Sequence, residues 1–152
     1  MIFYHSAVLD GIDLHLAIGN HRFYTDFIKE LRFFEEVEGH GRHYLIAAAP
    51  SCIYPDGLIG PAEGKALGDV PELIDLLFVQ YRSDKCSTAD SMEFYRNLHL
   101  WLQYSVDNGG PEVFVGLPAD VGAHSGDPSN WRSPTELAAI YNVSFYHLIL
   151  PE

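Results

Sequence analysis

At 152 residues and 17.0 kDa the chain has room for one ordinary domain, and its 47% hydrophobic and 20% charged content is that of a folded globular protein, not a disordered one. Nine basic against 21 acidic side chains leave a formal charge of −12, which repels phosphate backbones and anionic lipid and so argues against nucleic acid and membrane surfaces as partners. No apolar run approaches the roughly 18–20 residues of a spanning helix, and the opening Met-Ile-Phe-Tyr-His shows no signal-peptide pattern.

In chain order, Ala7–Ile18 reads as a strand, with Ile12, Leu14, Leu16 and Ile18 on one face and Asp13, His15 and Ala17 on the other. His21–Glu38 reads as a helix whose Phe23, Phe27, Leu31 and Phe34 form an inward stripe, with Gly39 at the C-terminal cap. His40 and His43 flank Arg42 in a Gly-rich turn and read as solvated loop residues. His43–Ala49 is a second strand, stopped by Pro50. Pro55–Pro71 contains four glycines and reads as loop, with at most a short helix near Ala62–Leu67. The nearly continuous apolar run Ile74–Tyr81 has the pattern of a strand covered on both faces. Ala89–Val106 is a helix with Phe94, Leu98, Trp101 and Leu102 inward, ended by Asn108-Gly109-Gly110-Pro111. Glu112–Leu117 is a fourth strand. Ser133-Pro134-Thr135-Glu136 then opens a last helix, with serine as cap, proline at the first helical position and glutamate at the third.

Such alternation of strands and helices means parallel strands joined by right-handed crossovers. Strand starts near 7, 43, 74 and 112 are 36, 31 and 38 residues apart, against about 31 per unit in a (β/α)8 barrel. Four units fit, as half a barrel. By periodicity alone a flavodoxin-like open sheet fits equally well. The two cysteines, Cys52 and Cys86, exclude a disulfide framework or zinc ribbon and leave open one staple or two buried thiols. There is no HExxH, Walker loop or GxGxxG, so neither a metal nor a cofactor is expected.

Four motifs discriminate further. Leu9-Asp10-Gly11-Ile12-Asp13-Leu14-His15-Leu16-Ala17 resembles the DGxDxDxE signature on the fourth strand of glycoside hydrolase family 18. The resemblance is to class III (hevamine-type) chitinases and their xylanase-inhibitor relatives. Ala48-Ala49-Pro50-Ser51-Cys52-Ile53-Tyr54-Pro55-Asp56 is similar to the family's fifth strand and loop, AAPQCPFPD. Phe78-Val79-Gln80-Tyr81 followed by Cys86 is similar to the sixth, VQFYNNPPC, one residue shorter here. Val113-Phe114-Val115-Gly116-Leu117-Pro118-Ala119 is similar to the seventh, IFLGLPA, and Leu148–Glu152 to the helix that follows. The resemblance covers nearly the whole chain and implies an α/β fold: a single partial domain over residues 1–152, half of a (β/α)8 TIM-type barrel made of family strands four to seven. Strands one to three and strand eight, with its sugar-flooring tryptophan, have no counterpart.

In the family, the strand-four glutamate protonates the glycosidic oxygen. The aspartate two residues earlier orients the substrate's own acetamido group as nucleophile, an exception to the two-carboxylate scheme. Carried over residue by residue, the motif's aspartates fall on Asp10, Asp13 and His15, and its glutamate on Ala17. Alanine moves no proton, and losing a general acid costs about 10²–10⁴ in rate. Asp56 and Asp120, after the second and fourth strands, read as solvated loop carboxylates. His15 reads as a barrel-interior histidine bonded to Asp13. The resemblance makes Asp13, Gln80 and Tyr81 the candidate carbohydrate contacts, with Tyr81 standing either for the family's phenylalanine or for its functional tyrosine. It also implies a Cys52–Cys86 disulfide between the loops after the second and third strands. Asn142-Val143-Ser144 is a sequon inside an expected helix.

The expected function is therefore that of a degenerate, non-catalytic chitinase-like protein with at most weak chitooligosaccharide binding. The alternatives are a xylanase-inhibitor-like module that binds a microbial glycosidase, and an active endochitinase. The resemblance implies an extracellular or vacuolar protein. Because Ala7–Ile18 and Glu112–Leu117 would be open edges, either a homodimer completing an eight-stranded barrel or a chain soluble only as part of something larger is expected, with Val79 and Val115, or their inward neighbours, on the open face.

Overall fold

The computed structural model describes residues 9–16, 19–38, 41–88, 91–124 and 126–140. Four parallel strands, β1 (Gly11–Leu14), β2 (Leu45–Ala48), β3 (Leu76–Gln80) and β4 (Glu112–Gly116), form one sheet in spatial order of sequence. The connections carry helices α1 (Tyr24–Glu38), α2 (Ala66–Asp69) and α3 (Ser91–Asp107). Residues 134–140 are again helical. There is no switch point in the strand order, so the half-barrel arrangement holds and the flavodoxin-like alternative falls. The expected strand ends Ala7, Ala17 and Ile18, the sequon Asn142 and the C-terminal Leu148–Glu152 lie outside the described residues.

Alternation sorts each strand between two sides. Ile12, Leu14, Ile46, Ala48, Leu77 and Val79 face the helices and join the core with Ile28, Phe94, Leu98, Trp101 and Tyr104. The opposite side of the sheet is open: Leu45, Phe78 and Phe114 are 42%, 37% and 41% exposed, and the two phenylalanine rings meet across β3 and β4 at 5.3 Å. Of the two valines expected to meet water, Val79 is fully buried against the helices and Val115 is 38% exposed, while the apolar surface of the open side belongs to Leu45 and to Phe78 and Phe114, the inward neighbours of the valines. The register between β1 and β2 depends on Gly11, because a Cβ there would run into the Leu45 carbonyl.

The helices follow their sequence signals with one rotation. In α3, Phe94, Leu98 and Trp101 are buried as expected. Its end is a Schellman-type cap, with Gly109 at φ 68° and Gly110 N–H donating to Ser105 O at 3.0 Å. Ser133 and Glu136 form the reciprocal cap expected at the last helix: Ser133 N–H donates to Glu136 Oε2 at 2.8 Å and Glu136 N–H to Ser133 Oγ at 3.4 Å. In α1, however, Ile28 is the buried residue, with Tyr24 and Leu31 partly covered, while Phe23, Phe27 and Phe34 are 68%, 47% and 49% exposed. Polar bonds account for this orientation. Arg32 donates to Leu73 O through Nε and Nη2 (3.1 and 2.8 Å), to Tyr44 O at 2.7 Å, and to Asp75 Oδ2 at 2.6 Å. Only with Tyr24, Ile28, Leu31 and Arg32 toward the sheet are these bonds made.

The same network engages His43, which is exposed in the loop before β2 as expected. Its Nδ1 lies 2.7 Å from Glu35 Oε1 and its Nε2 2.9 Å from Asp75 Oδ1, which clasps α1 to the starts of β2 and β3.

Candidate functional site

In a parallel sheet the carboxyl ends of the strands share one rim, and loops leaving it can meet side chains from several strands. A cavity of about 340 Å³ at the other rim is lined mainly by apolar groups of β1, α1 and β2. The rim at the carboxyl ends holds a more polar cavity of about 330 Å³, with His15, Ser51, Asp56, Gln80, Arg82 and Ser83 among its walls.

Period two and the strand register place these groups. Asp13, on β1, lies opposite Ala47 on the open side and is exposed. His15 stands one step further along the chain, at the mouth. Gln80, the last residue of β3, brings its Nε2 to 3.4 Å from His15 Nδ1 and donates to Ala49 O at 3.3 Å. The expected bond of His15 to Asp13 is replaced by this contact with Gln80. Asp10 sits at the opposite end of β1, where its carbonyl accepts from Leu45 N–H at 2.8 Å. Ala17 lies outside the described residues.

Tyr81 turns the other way. It is 1% exposed and packs edge-on against Phe94 of α3, with ring centroids 4.9 Å apart. Following Gln80 at the end of β3, it points to the helix side. Burial pushes its phenol well above the ordinary range. The structure thus brings His15 and Gln80 together at the mouth, with Asp13 one step deeper, and keeps Tyr81 apart.

The loops around the mouth are tied down. Asp56 is 6% exposed and not solvated: its carboxylate accepts from Ser51, Leu58 and Ile59 N–H at 3.0, 2.8 and 2.7 Å. Burial opposes its ionised form, but these backbone donors win and hold its pKa below the usual carboxylate value. Asp120 is exposed and caps a turn, accepting from Gly122 N–H at 2.6 Å and Ala123 N–H at 3.2 Å. Both aspartates therefore organise loops. Cys52 and Cys86 form the disulfide the resemblance implied, with Cα atoms 6.0 Å apart, and it joins the loops after β2 and β3. Beneath it, fully buried Trp101 donates its indole N–H to Cys52 O at 3.1 Å. Asp84 gathers the loop after β4, accepting from Asp127 N–H at 3.0 Å and Asn130 Nδ2 at 2.7 Å.

Sequence reasoning missed Ser51, Arg82 and Ser83 as wall residues. Ser51 and Ser83 flank the two cysteine motifs, and Arg82 follows immediately on Gln80-Tyr81. Only their shared rim position connects them. Among the described residues no cluster of His, Cys, Asp and Glu could hold a metal ion, and no helix is long and apolar enough to cross a membrane.

No family model matches the chain. Among curated proteins it is similar to chitinase 3 of Candida albicans, 30% identical over 132 residues, and to the endochitinase of Saccharomyces cerevisiae, 33% identical over 135 residues. Those alignments cover 83% and 87% of this chain but only 22% and 21% of the relatives, so the chain spans less than a quarter of either. Among solved structures it is similar to a xylanase and alpha-amylase inhibitor protein of Scadoxus multiflorus, 28% identical with a TM-score of 0.66, over 88% of this chain and 44% of that one.

Proposed function

Because this chain belongs to the chitinase-like proteins of glycoside hydrolase family 18, as a segment equivalent to part of their barrel, we propose that it is a non-catalytic member whose strand-end cavity binds carbohydrate weakly. One observation carries this reading. Where the family motif has its acid and the aspartate that orients the nucleophile, this sequence has Ala17 and His15, and His15 is engaged with Gln80. A histidine so placed can bond to a sugar hydroxyl. Alanine can neither protonate a leaving oxygen nor take a proton back. Of the carboxylates after the second and fourth strands, Asp56 has both oxygens committed to backbone N–H groups and Asp120 has one committed to its turn cap, which leaves them poor substitutes.

The sugar contacts proposed are Gln80 and His15 at the rim and Asp13 one step deeper, with chitooligosaccharide as the starting ligand. The test is isothermal titration with chitotetraose alongside release of reducing ends. Weak binding without hydrolysis is expected, and release above buffer overturns the reading. Restoring the motif's carboxylates with His15→Asp and Ala17→Glu should leave this chain inactive, because four strands supply only part of the barrel wall.

A second reading has its own support in the likeness to the Scadoxus inhibitor, a protein named for xylanase and alpha-amylase. On that reading a microbial glycosidase binds the outer loops and helices. Titration with a fungal xylanase separates it from the first. Secretion to the extracellular space or vacuole belongs to the same proposal.

A further inference from the structure

We propose that the flank of α1 beyond the β1 edge is a docking seat for a second copy of this chain, filled by the helix that follows β4 (residues 134–140) in the partner. The seat lies on the outside of the sheet and is independent of whatever the strand-end cavity binds.

One flank of α1 is committed within its own copy and the other is not. Thr25 Oγ1 donates to Asp69 Oδ2 at 3.0 Å and Arg32 reaches Leu73 O and Asp75, so that flank faces α2 and the start of β3. Phe27, Leu31 and Phe34, spaced i, i+4 and i+7, share the flank toward β1. There Leu31 and Phe34 join Leu9 and Ile12 in walling the apolar cavity of about 340 Å³. Phe27 and Phe34 are about half exposed, and Phe23, one turn earlier, is more so. Phe23 also stands at φ 80°, a conformation that a bulky side chain enters only at a cost and that marks sites held for contact. Among the described residues nothing covers these rings.

Connection geometry names the occupant. A right-handed βα unit lays its helix over its own strand and the next one. Among the described residues β1 is one edge of the sheet, with no helix over its outer side, and β4 is the other, with a helix after it but no next strand. Each end therefore holds what the other lacks. Pairing β4 of one copy with β1 of another brings the helix after β4 onto the β1 edge, beside α1 and running in the same direction. Ile140 of that helix packs on its own core, while Ala138 and Ala139 are exposed, small enough for phenylalanine rings to seat against them. Past Ile140 the sequence runs on for 12 residues that include Val143, Phe145, Leu148, Ile149 and Leu150, apolar partners for the lower half of the seat.

The area is sufficient. Covering a phenylalanine removes about 150–250 Å², so the exposed parts of Phe23, Phe27 and Phe34 come to about 250–400 Å² per seat. Two seats, with an equal area lost by the helices that fill them, reach about 1,000–1,600 Å² before the strand pairings are added, against about 1,200–2,000 Å² for a stable interface.

The test is sedimentation of the purified chain at micromolar concentration and about 0.15 M salt, which screens the −12 charge of each copy over about 8 Å. The parent should be a dimer. Phe27→Asp should raise the dissociation constant about tenfold or more. Phe33→Asp, equally exposed but on another face of α1, should leave it unchanged. Phe27 replaced by p-benzoyl-phenylalanine keeps an aromatic ring in place if the aspartate variant fails to fold. On irradiation it should give a covalent dimer whose link maps to residues 133–140 of the other copy. A monomer, an aggregate of no fixed size, equal sensitivity to Phe33→Asp and Phe27→Asp, or a link to any other segment overturns the seat.

Discussion

Asp56 shows how one side chain can set the shape of a rim. Its carboxylate holds three backbone N–H groups of the Ser51–Ile59 loop at 2.7–3.0 Å in a nearly buried position. Asp56→Ala would leave those donors unsatisfied and is expected to cost about 1–3 kcal/mol, read as a lower urea midpoint. Its lowered pKa carries the same sign: the contribution is present above the ordinary carboxylate range and is lost as pH falls through the folded value. His43 runs the other way. Bonds to Asp75 and then Glu35 raise its pKa, since only an imidazolium donates from both ring nitrogens. Its contribution is complete below the unfolded value of about 6.5 and fades as pH rises through the raised folded value. Burial alone would raise Glu35 and Asp75. The bonds from His43 and Arg32, and that from Ile46 N–H to Asp75, hold both below the ordinary range. His43 is largely exposed, so the effect is expected within about 0.2–1 kcal/mol. The stability gap between the parent and His43→Gln should be wider at pH 5.5 than at pH 9, and an equal gap at both would remove the clasp from the account.

Among the elements, the two rim loops after β2 and β3 depend on the covalent tie between Cys52 and Cys86. A disulfide separated by 34 residues constrains the unfolded chain by about 3–4 kcal/mol in the loop-entropy description. Reduction, or Cys52→Ser with Cys86→Ser, should lower the unfolding midpoint accordingly. It should also weaken any sugar binding at the mouth, because Ser51 and Ser83 ride on the two tied loops. Fully buried Trp101 and Tyr104 would still anchor the first loop through Cys52 O and Leu67 O, at 3.1 and 2.7 Å, so the sheet itself should survive reduction.

At the scale of the molecule, among the described residues the sheet ends in two open strands, β1 and β4, and its open side shows Leu45, Phe78 and Phe114. Each large apolar side chain left in water forgoes roughly 1.5–3 kcal/mol of burial, against a typical net stability of about 5–15 kcal/mol. Two copies related by a two-fold axis along the barrel would pair β4 of each with β1 of the other, keep every strand parallel, and cover that side. A homodimer at micromolar concentration is the expected result of sedimentation. A cooperative 17 kDa monomer would contradict it.

The order of elements and the parallel sheet were legible in the amino-acid sequence, because period-two and period-3.6 patterns and cap residues are local, whereas the disulfide partners came from the family resemblance carried by the rim motifs. That His15 and Ala17 stand where the resembled motif has carboxylates was equally plain, since that is a matter of residue identity. What only the tertiary structure decided depends on contacts between segments far apart in the chain. Phe23, Phe27 and Phe34 have the spacing of an inward stripe, yet α1 turns them outward because Arg32 reaches Asp75, 43 residues away. Asp56 reads as solvated until the loop it gathers is folded around it. Tyr81 reads as a candidate rim contact until the pleat beside Gln80 sends it toward Phe94. His15 reads as a partner of Asp13 until β3 brings Gln80, 65 residues later, to its ring. Local patterns determine which elements form. The rotation of a helix and the direction of a rim side chain are set by long-range bonds that exist only after those elements have packed.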